Sequence, residues 1–289
     1  TISIGMISKL ERRGAEVLQA AYNELAVSVH SADAANIDET SWREDRKKAW
    51  LWVTMTRLAT VFTIAGHRSG EVARALLGSE PDQVVTSDRF SAYAWIAARW
   101  RQICWAHLRR DFQAMIDRGG EGKPVGEGLL KLSHRLFHNR RRMRDGTLDW
   151  ETFGKRMVRL RREVRQALLK GSKCGCAKTS ATCFEILKVE EGLWTFARVK
   201  GIEPTNNAAE RALRFAVIWR RISGGTDSRR GSRFVERTLS VVATCRQQER
   251  NVLEYLTSCF DAAHRGQPIP SLLPTSQPKG FSASSILSS

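Results

Sequence analysis

Gln83-Val84-Val85-Thr86-Ser87-Asp88 is a short run of β-branched and small residues ending in an acid, and Arg101-Gln102-Ile103-Cys104-Trp105 is a second such run. Each reads as a strand. Helical spacing follows both, from near Arg89 or Phe90 and from Ala106-His107-Leu108-Arg109-Arg110. Strand then helix, twice over, is the signature of an α/β sheet. Upstream, Ala49 to Met55 and Thr60 to Ala65 predict two antiparallel strands. A short strand ending in Asp38 precedes them, with a polar turn through Asp45-Arg46-Lys47-Lys48. Ser69 to Leu77 predicts a helix capped by Ser69, with Glu71 in its first turn. The order predicts a sheet of mixed strand directions, and Asp38 and Asp88 fall at strand ends, where α/β sheets place ligands.

Outward from this centre the signals change. Residues 6–29 carry apolar residues at near-helical spacing and predict one amphipathic helix. From Gly119 to Gly201 strand signals vanish and basic helical segments take over, such as Leu129 to Met143 and Trp150 to Leu169. Gly119-Gly120-Glu121-Gly122-Lys123-Pro124 reads as the linker into this block. In Thr205-Asn206-Asn207-Ala208-Ala209-Glu210-Arg211-Ala212-Leu213-Arg214, Asn207 with Glu210 predicts a helix start running to about Arg221. Leu213 and Val217 place Glu210 toward the inward side, where a carboxylate needs a partner. Phe234 to Glu249 predicts a last packing helix, and the Pro- and Ser-rich end from Gly266 a mobile tail.

Charge narrows the partner. The 289 residues hold 47 Lys and Arg against 30 Asp and Glu, a formal net of +17. Arginine clusters such as Arg140-Arg141-Arg142 and Arg220-Arg221 suit phosphate, which points to nucleic acid ahead of an anionic membrane surface. No apolar run is long enough to span a membrane, and the first residues lack the pattern of a signal peptide. Thr1 stands where an initiator methionine would, as in a fragment. Six cysteines make no disulfide scaffold in a chain this long, so a reducing cytoplasm is expected.

Asp38, Asp88 and Glu210 are then the candidate chemistry. Three converging carboxylates repel one another unless a cation sits among them, and hard ions such as Mg²⁺ take oxygen ligands. Two such ions suit an in-line phosphoryl displacement, the chemistry of a nuclease or a strand-transfer enzyme.

Four ordered motifs sharpen this: Asp38-Glu39-Thr40-Ser41-Trp42-Arg43, Ser87-Asp88-Arg89-Phe90-Ser91-Ala92-Tyr93, Cys104-Trp105-Ala106-His107-Leu108-Arg109-Arg110 and Thr205-Asn206-Asn207-Ala208-Ala209-Glu210-Arg211. With Arg220-Arg221-Ile222-Ser223-Gly224-Gly225 they closely resemble the insertion-sequence-66 family of bacterial transposases, over roughly residues 30–265. The resemblance implies an α/β, RNase H-like mixed sheet flanked by helices and interrupted by a mainly helical insertion. It implies a DDE site of Asp38, Asp88 and Glu210 holding two Mg²⁺ or Mn²⁺ ions. The matching segments are a leading helix (1–30), a first core part (31–118), the insertion (119–201), a last core part with the catalytic Glu helix (202–265) and a flexible tail (266–289). It further implies an N-terminal DNA-recognition segment with zinc, but no Cys-x-x-Cys pair precedes Asp38 here.

The expected reaction is nicking at a transposon end followed by attack of the freed 3′-OH on target DNA, with a homo-oligomer on DNA in the bacterial nucleoid. A catalytically inactive DNA-binding derivative and a nuclease without strand transfer are the alternatives. Arg211, Arg214, Arg220, Arg221, Arg229 and Arg230 are expected to meet DNA. Trp194 and Phe196 are read as base-stacking or core aromatics. Cys104 and His107 form a structural Cys-x-x-His motif, and Cys174, Cys176 and Cys183 read as thiols or as part of a zinc site.

Overall fold

The computed structural model describes residues 3–78 and 82–274. Among them the chain forms eleven α-helices and one mixed five-stranded sheet, with helix predominant. The strands are β1 (Ala34–Glu44), β2 (Lys47–Met55), β3 (Thr60–Ala65), β4 (Val84–Ser87) and β5 (Arg101–Ile103), in the spatial order β3-β2-β1-β4-β5. Contacts divide the chain into two units. Among the described residues, one takes in those up to Val85, Phe90–Trp95 and those from Asn206; the other takes in Thr86–Arg89 and Ile96–Thr205.

In the first unit β1 and β2 form an antiparallel hairpin closed at Glu44↔Lys47. Its two turn residues, Asp45 and Arg46, both have positive φ (51° and 58°), the twist that a two-residue hairpin loop requires. The turn is therefore shorter than the expected 45–48. Asp38 lies within β1 and not at its end, because the strand runs on past buried Trp42. β2 and β3 pair antiparallel from Trp50↔Ala65 to Met55↔Thr60, as expected. The predicted single N-terminal helix is two, α1 (Ile4–Val17) and α2 (Gln19–His30). The break at Leu18 is slight: its N–H still donates to Gly14 O, and its carbonyl accepts from Tyr22 N–H. α3 (Gly70–Leu77) begins as predicted, with Ser69 Oγ accepting from Val72 N–H.

An edge strand leaves a row of backbone groups in need of partners. On β3 those partners come from a helix, α10 (Arg229–Gln247), which starts before the expected Phe234. The N–H groups of Thr60, Phe62 and Ile64 donate to Thr244 Oγ1 (3.1 Å), Ser240 Oγ (2.8 Å) and Glu236 Oε1 (2.6 Å). The match is geometric, since four helical residues rise about 6 Å and two strand residues about 6.7 Å. A further helix not foreseen, α11 (Val252–His264), is capped by Asn251 Oδ1, which accepts from the Leu253 and Glu254 N–H groups. The chain then folds back, burying Leu272 beside Leu25, Tyr255 and Cys259, so the expected tail is packed at least to Leu272. Gln248 Nε2 donates to Leu272 O at 2.9 Å. The rest of the tail, residues 275–289, lies outside the described residues.

The second unit is mainly helical: α4 (Trp105–Asp117), α5 (Gly122–Arg144), α6 (Trp150–Gly171), α7 (Ala177–Lys188) and the short α8 (Thr195–Arg198). The predicted linker shrinks to residues 118–121 because α5 begins at Gly122. Glycine lets α5 press onto α4: a Cβ added at Gly126 would lie 2.5 Å from Phe112 O. β5 is held by Gln102, whose Oε1 accepts from Phe196 N–H at 2.7 Å, and by Thr195 Oγ1, which donates to Arg101 O at 2.7 Å.

Candidate functional site

Asp38 belongs to a face of β1 fixed by register. It pairs with Val53 and Thr40 pairs with Leu51, and cross-strand partners share a face of the sheet. Val53 and Leu51 share a core with Trp42 of β1 and with Ala209, Leu213 and Ala216 of α9 (Asn207–Ser223). Asp38 thus faces the side that α9 covers. The carboxylate is half-buried, and its Oδ1 accepts from the Glu39 N–H at 2.9 Å.

Three ties hold α9 along β1. Asn206, fully buried, donates from Nδ2 to Ile37 O (2.8 Å) and accepts on Oδ1 from Asn36 Nδ2 (2.9 Å). Arg220 Nη1 donates to Thr40 Oγ1 (3.0 Å), to Ser41 Oγ (2.7 Å) and to the Ser41 carbonyl. Past the helix end, Gly225 has φ 121° and lies so close to β1 that an added Cβ would sit 2.4 Å from Arg43 O. Glu210 stands one turn into α9, half-buried, with its N–H bonded to Asn206 O at 3.1 Å. The expected capping residue was Asn207; the structure gives that place to Asn206, whose amide is turned to β1 and makes no cap bond. Asp38 and Glu210 are thus carried by two elements of the first unit, β1 and α9, that pack on each other.

The other face of β1 buries Glu39. Arg68 donates to it from Nε and Nη2, both at 2.6 Å from Oε1, and the Tyr93 hydroxyl donates to Oε2. Arg68 also stacks 3.6 Å over the Phe90 ring. A helix was expected from Arg89 or Phe90; a single 3₁₀ turn, Ser91–Tyr93, replaces it because Tyr93 is drawn into the core against Trp52. This cluster pins the residues just after Asp88 to the strand that carries Asp38. Sequence reading missed Glu39, though an acid between strand residues is the signal.

In the second unit Asp88 follows β4 directly, as expected, and is half-buried. Its carbonyl accepts from Arg101 Nη2 and from Ser87 Oγ, each at 2.9 Å. Arg89 beside it pairs with Asp111 at 2.5 Å. Cys104 is buried at the start of α4, and half-buried His107 lies in that helix's first turn. Trp194 and Phe196 are core residues, stacked on each other, with Trp105 edge-on to Trp194. Buried on both sides, Trp194 presents no open ring face to a base. Cys183 is buried too, and burial pushes its thiol up to about 11, the reverse of what a thiolate ligand needs. Half-buried Cys176 is held below the ordinary thiol value by hydrogen bonding with Thr179. Among the described residues these two and Cys174 form no metal-ligand cluster.

The expected DNA arginines divide. Arg220 is committed to β1, Arg229 donates to Ile64 O at 2.9 Å, and Arg230 donates to Ser8 Oγ at 3.0 Å. Arg211, Arg214 and Arg221 are exposed on α9.

The described chain is thus a mixed α/β sheet with α9 packed along β1, in a sequence of formal net charge +17. Residues 1–233 match the family described as "Transposase IS66 family", and the chain belongs to that family. Membership implies a transposase role, with DNA as the partner and a divalent metal in use. No curated protein and no solved structure matches the chain. No helix among the described residues is long and apolar enough to cross a membrane.

Proposed function

We propose that this chain is the catalytic region of a DDE-type transposase that cleaves DNA and transfers a 3′-OH end to target DNA. The observation that supports the reading is the packing of α9, which carries Glu210, on the face of β1 to which Asp38 belongs, in a member of a transposase family. An RNase H-like core interrupted by a mainly helical insertion at residues 119–201 is the matching fold reading, supported by the unbroken run of helices α5 to α7 there.

The residues fit a hard divalent ion. Asp38 and Glu210 would offer carboxylate oxygens, both residues being half-buried, and Asp88, which follows β4, would offer a third. Bound there, one or two Mg²⁺ or Mn²⁺ ions would acidify the attacking hydroxyl and stabilise the leaving oxygen of an in-line displacement. Asp38, Asp88 and Glu210 would hold the ions. The Asn206, Arg220 and Gly225 ties would fix where Glu210 stands relative to Asp38. The Glu39–Arg68–Tyr93 cluster would fix the backbone that follows Asp88. Arg211 and Arg214, on the turn of α9 that carries Glu210, would steady phosphates.

The test is joining of a labelled pre-cut transposon end to plasmid DNA, with Mg²⁺, Mn²⁺ or EDTA, for wild type and Glu210→Ala. Joined product that needs both metal and Glu210 is the expected result. Metal-dependent nicks without joining would make the protein a nuclease. DNA binding with neither would make it a binding derivative.

A further inference from the structure

A cavity of about 590 Å³ lies in the second unit, its walls formed by α5 and α6. Lys131, His134 and Arg135 line it from α5; Arg156, Arg159 and Glu163 line it from α6. The two helices are the most basic part of the chain. α5 carries seven Lys and Arg against one Glu, and α6 carries seven against two. Together they hold eleven of the seventeen net positive charges.

What matters is which of these charges are already answered. Arg161 and Arg165 are committed to buried Glu190, Arg140 to Glu203 and Arg135 to Glu163. In the groove Arg156 has, among the described residues, only a neutral partner, Asn139 Oδ1 at 2.9 Å. Lys131 and Arg159, both exposed, have no hydrogen bond or ion pair among the described residues. From α4, Arg109 reaches His134 at 3.0 Å and adds a further cation. Three cations left facing a concave surface repel each other, and a concave surface of one sign concentrates field and anions. The lining runs from Lys131 to Asn139 on one helix and from Arg156 to Glu163 on the other. That is roughly 12 Å of helix, or three to four base-pair steps, which suits a row of phosphates better than one small anion.

We propose that the α5–α6 groove seats the phosphodiester backbone of duplex DNA, with Lys131, Arg156 and Arg159 as its phosphate contacts. The contacts are to backbone, so the groove holds and orients DNA without reading sequence. The inference rests on the proposed function only in taking DNA as the partner.

The experiment measures binding of a fluorescent duplex across a salt series in EDTA, where no metal chemistry occurs. The Lys131→Gln/Arg156→Gln/Arg159→Gln variant is expected to lose about two to three from the log–log salt slope and about tenfold or more in affinity. Lys131→Gln/Arg159→Gln, which leaves the Arg156–Asn139 bond intact, is expected to lose about two from the slope and covers any folding defect of the triple variant. A control, Arg144→Gln/Arg162→Gln/Lys170→Gln, removes the same charge from the same helices outside the groove. Unchanged slope in the double variant, or an equal loss in the control, overturns the groove. Normal binding with no strand joining under Mg²⁺ would instead overturn the catalytic reading and leave the groove standing.

Discussion

Glu39 and Glu236 of the first unit are buried carboxylates whose oxygens accept from named donors, whereas most of the charge on α5 and α6 of the second stands in solvent. Among the described residues the second unit has one counterpart, Glu190, which is met by two arginines. Side chains also bond to backbone at β5, through Gln102 and Thr195, but the long helices are joined by close apolar packing and small residues, as at Gly126 and Gly171. In the first unit, side chains bond directly to strand backbone at β1 and β3, which fixes register and angle within a few tenths of an ångström. Such fixing suits groups that must meet at chemical distances. Solvated cations on helices suit a flexible, sequence-blind partner. The difference assigns accuracy to one unit and affinity to the other, and each half of that statement can be broken.

The largest expected effect is on chemistry. Asp38→Asn, Asp88→Asn and Glu210→Gln should each lower metal-dependent strand joining by more than about 100-fold, since even residues outside the ligand shell cost 10–100-fold. Duplex binding in EDTA should stay within about twofold, because none of the three is a phosphate contact. Joining retained in any one of them removes that residue from the site.

Next comes the cluster beneath Asp38. Glu39→Leu leaves Arg68 and Tyr93 facing an apolar side chain and should cost about 3 kcal/mol in urea unfolding. Glu39→Gln keeps one acceptor oxygen for Arg68 and turns an NH2 donor toward the Tyr93 hydroxyl, which can accept from it; it should cost less, while still slowing joining if the cluster sets the backbone after Asp88. In the second unit, Gly126→Ala should cost about 1–3 kcal/mol, because the Phe112 carbonyl stands where the methyl must go. Strand joining should fall with Glu39→Gln at full folding, and should not fall with Gly126→Ala below its melting range. The reverse pattern would merge the two roles that the comparison separates.

Ser240→Ala strips the acceptor from the buried Phe62 N–H and should cost about 1–2 kcal/mol, measured in the same way. A smaller loss would mean that water reaches the β3 edge.

The ladder on β3 also shows what a sequence discloses. β2, β3, β5 and α6 were legible because their patterns are local: β-branched runs, or apolar residues at helical spacing. Trp42 was local too, but it extends β1 beyond Asp38 only once Ala49 and Val235 supply the core it enters. Asn206 and Asn207 cannot be told apart by spacing; what separates them is the Ile37 carbonyl, 169 positions away. Glu39 is explained by Arg68 and Tyr93, 29 and 54 positions on, so nothing within β1 announces its partners. Asp38, Asp88 and Glu210 were picked out by motif order, and their placement had to wait for register. The stripe Glu236, Ser240, Thr244, spaced by four along a helix, was in plain view and went unread.

Glu236 gives the finest test of that stripe, through pH. Burial raises its carboxyl above the ordinary 4.5, against the lowering effects of the Ile64 N–H and of Arg229. A folded-state value above the unfolded one means the native protein holds the proton more tightly. The resulting stability is therefore fully present below the unfolded value and is lost as pH rises through the folded one. Gln at this position can still accept from Ile64 N–H but does not titrate. Wild type should thus be most favoured over Glu236→Gln below the ordinary carboxyl range, and should lose that advantage progressively as pH rises above it. Paired urea titrations at several pH values read the difference directly. An advantage that grows with pH would mean that the ionised carboxylate, held by Ile64 and Arg229, is the stable form, and that the β3 edge is secured by charge as well as by shape.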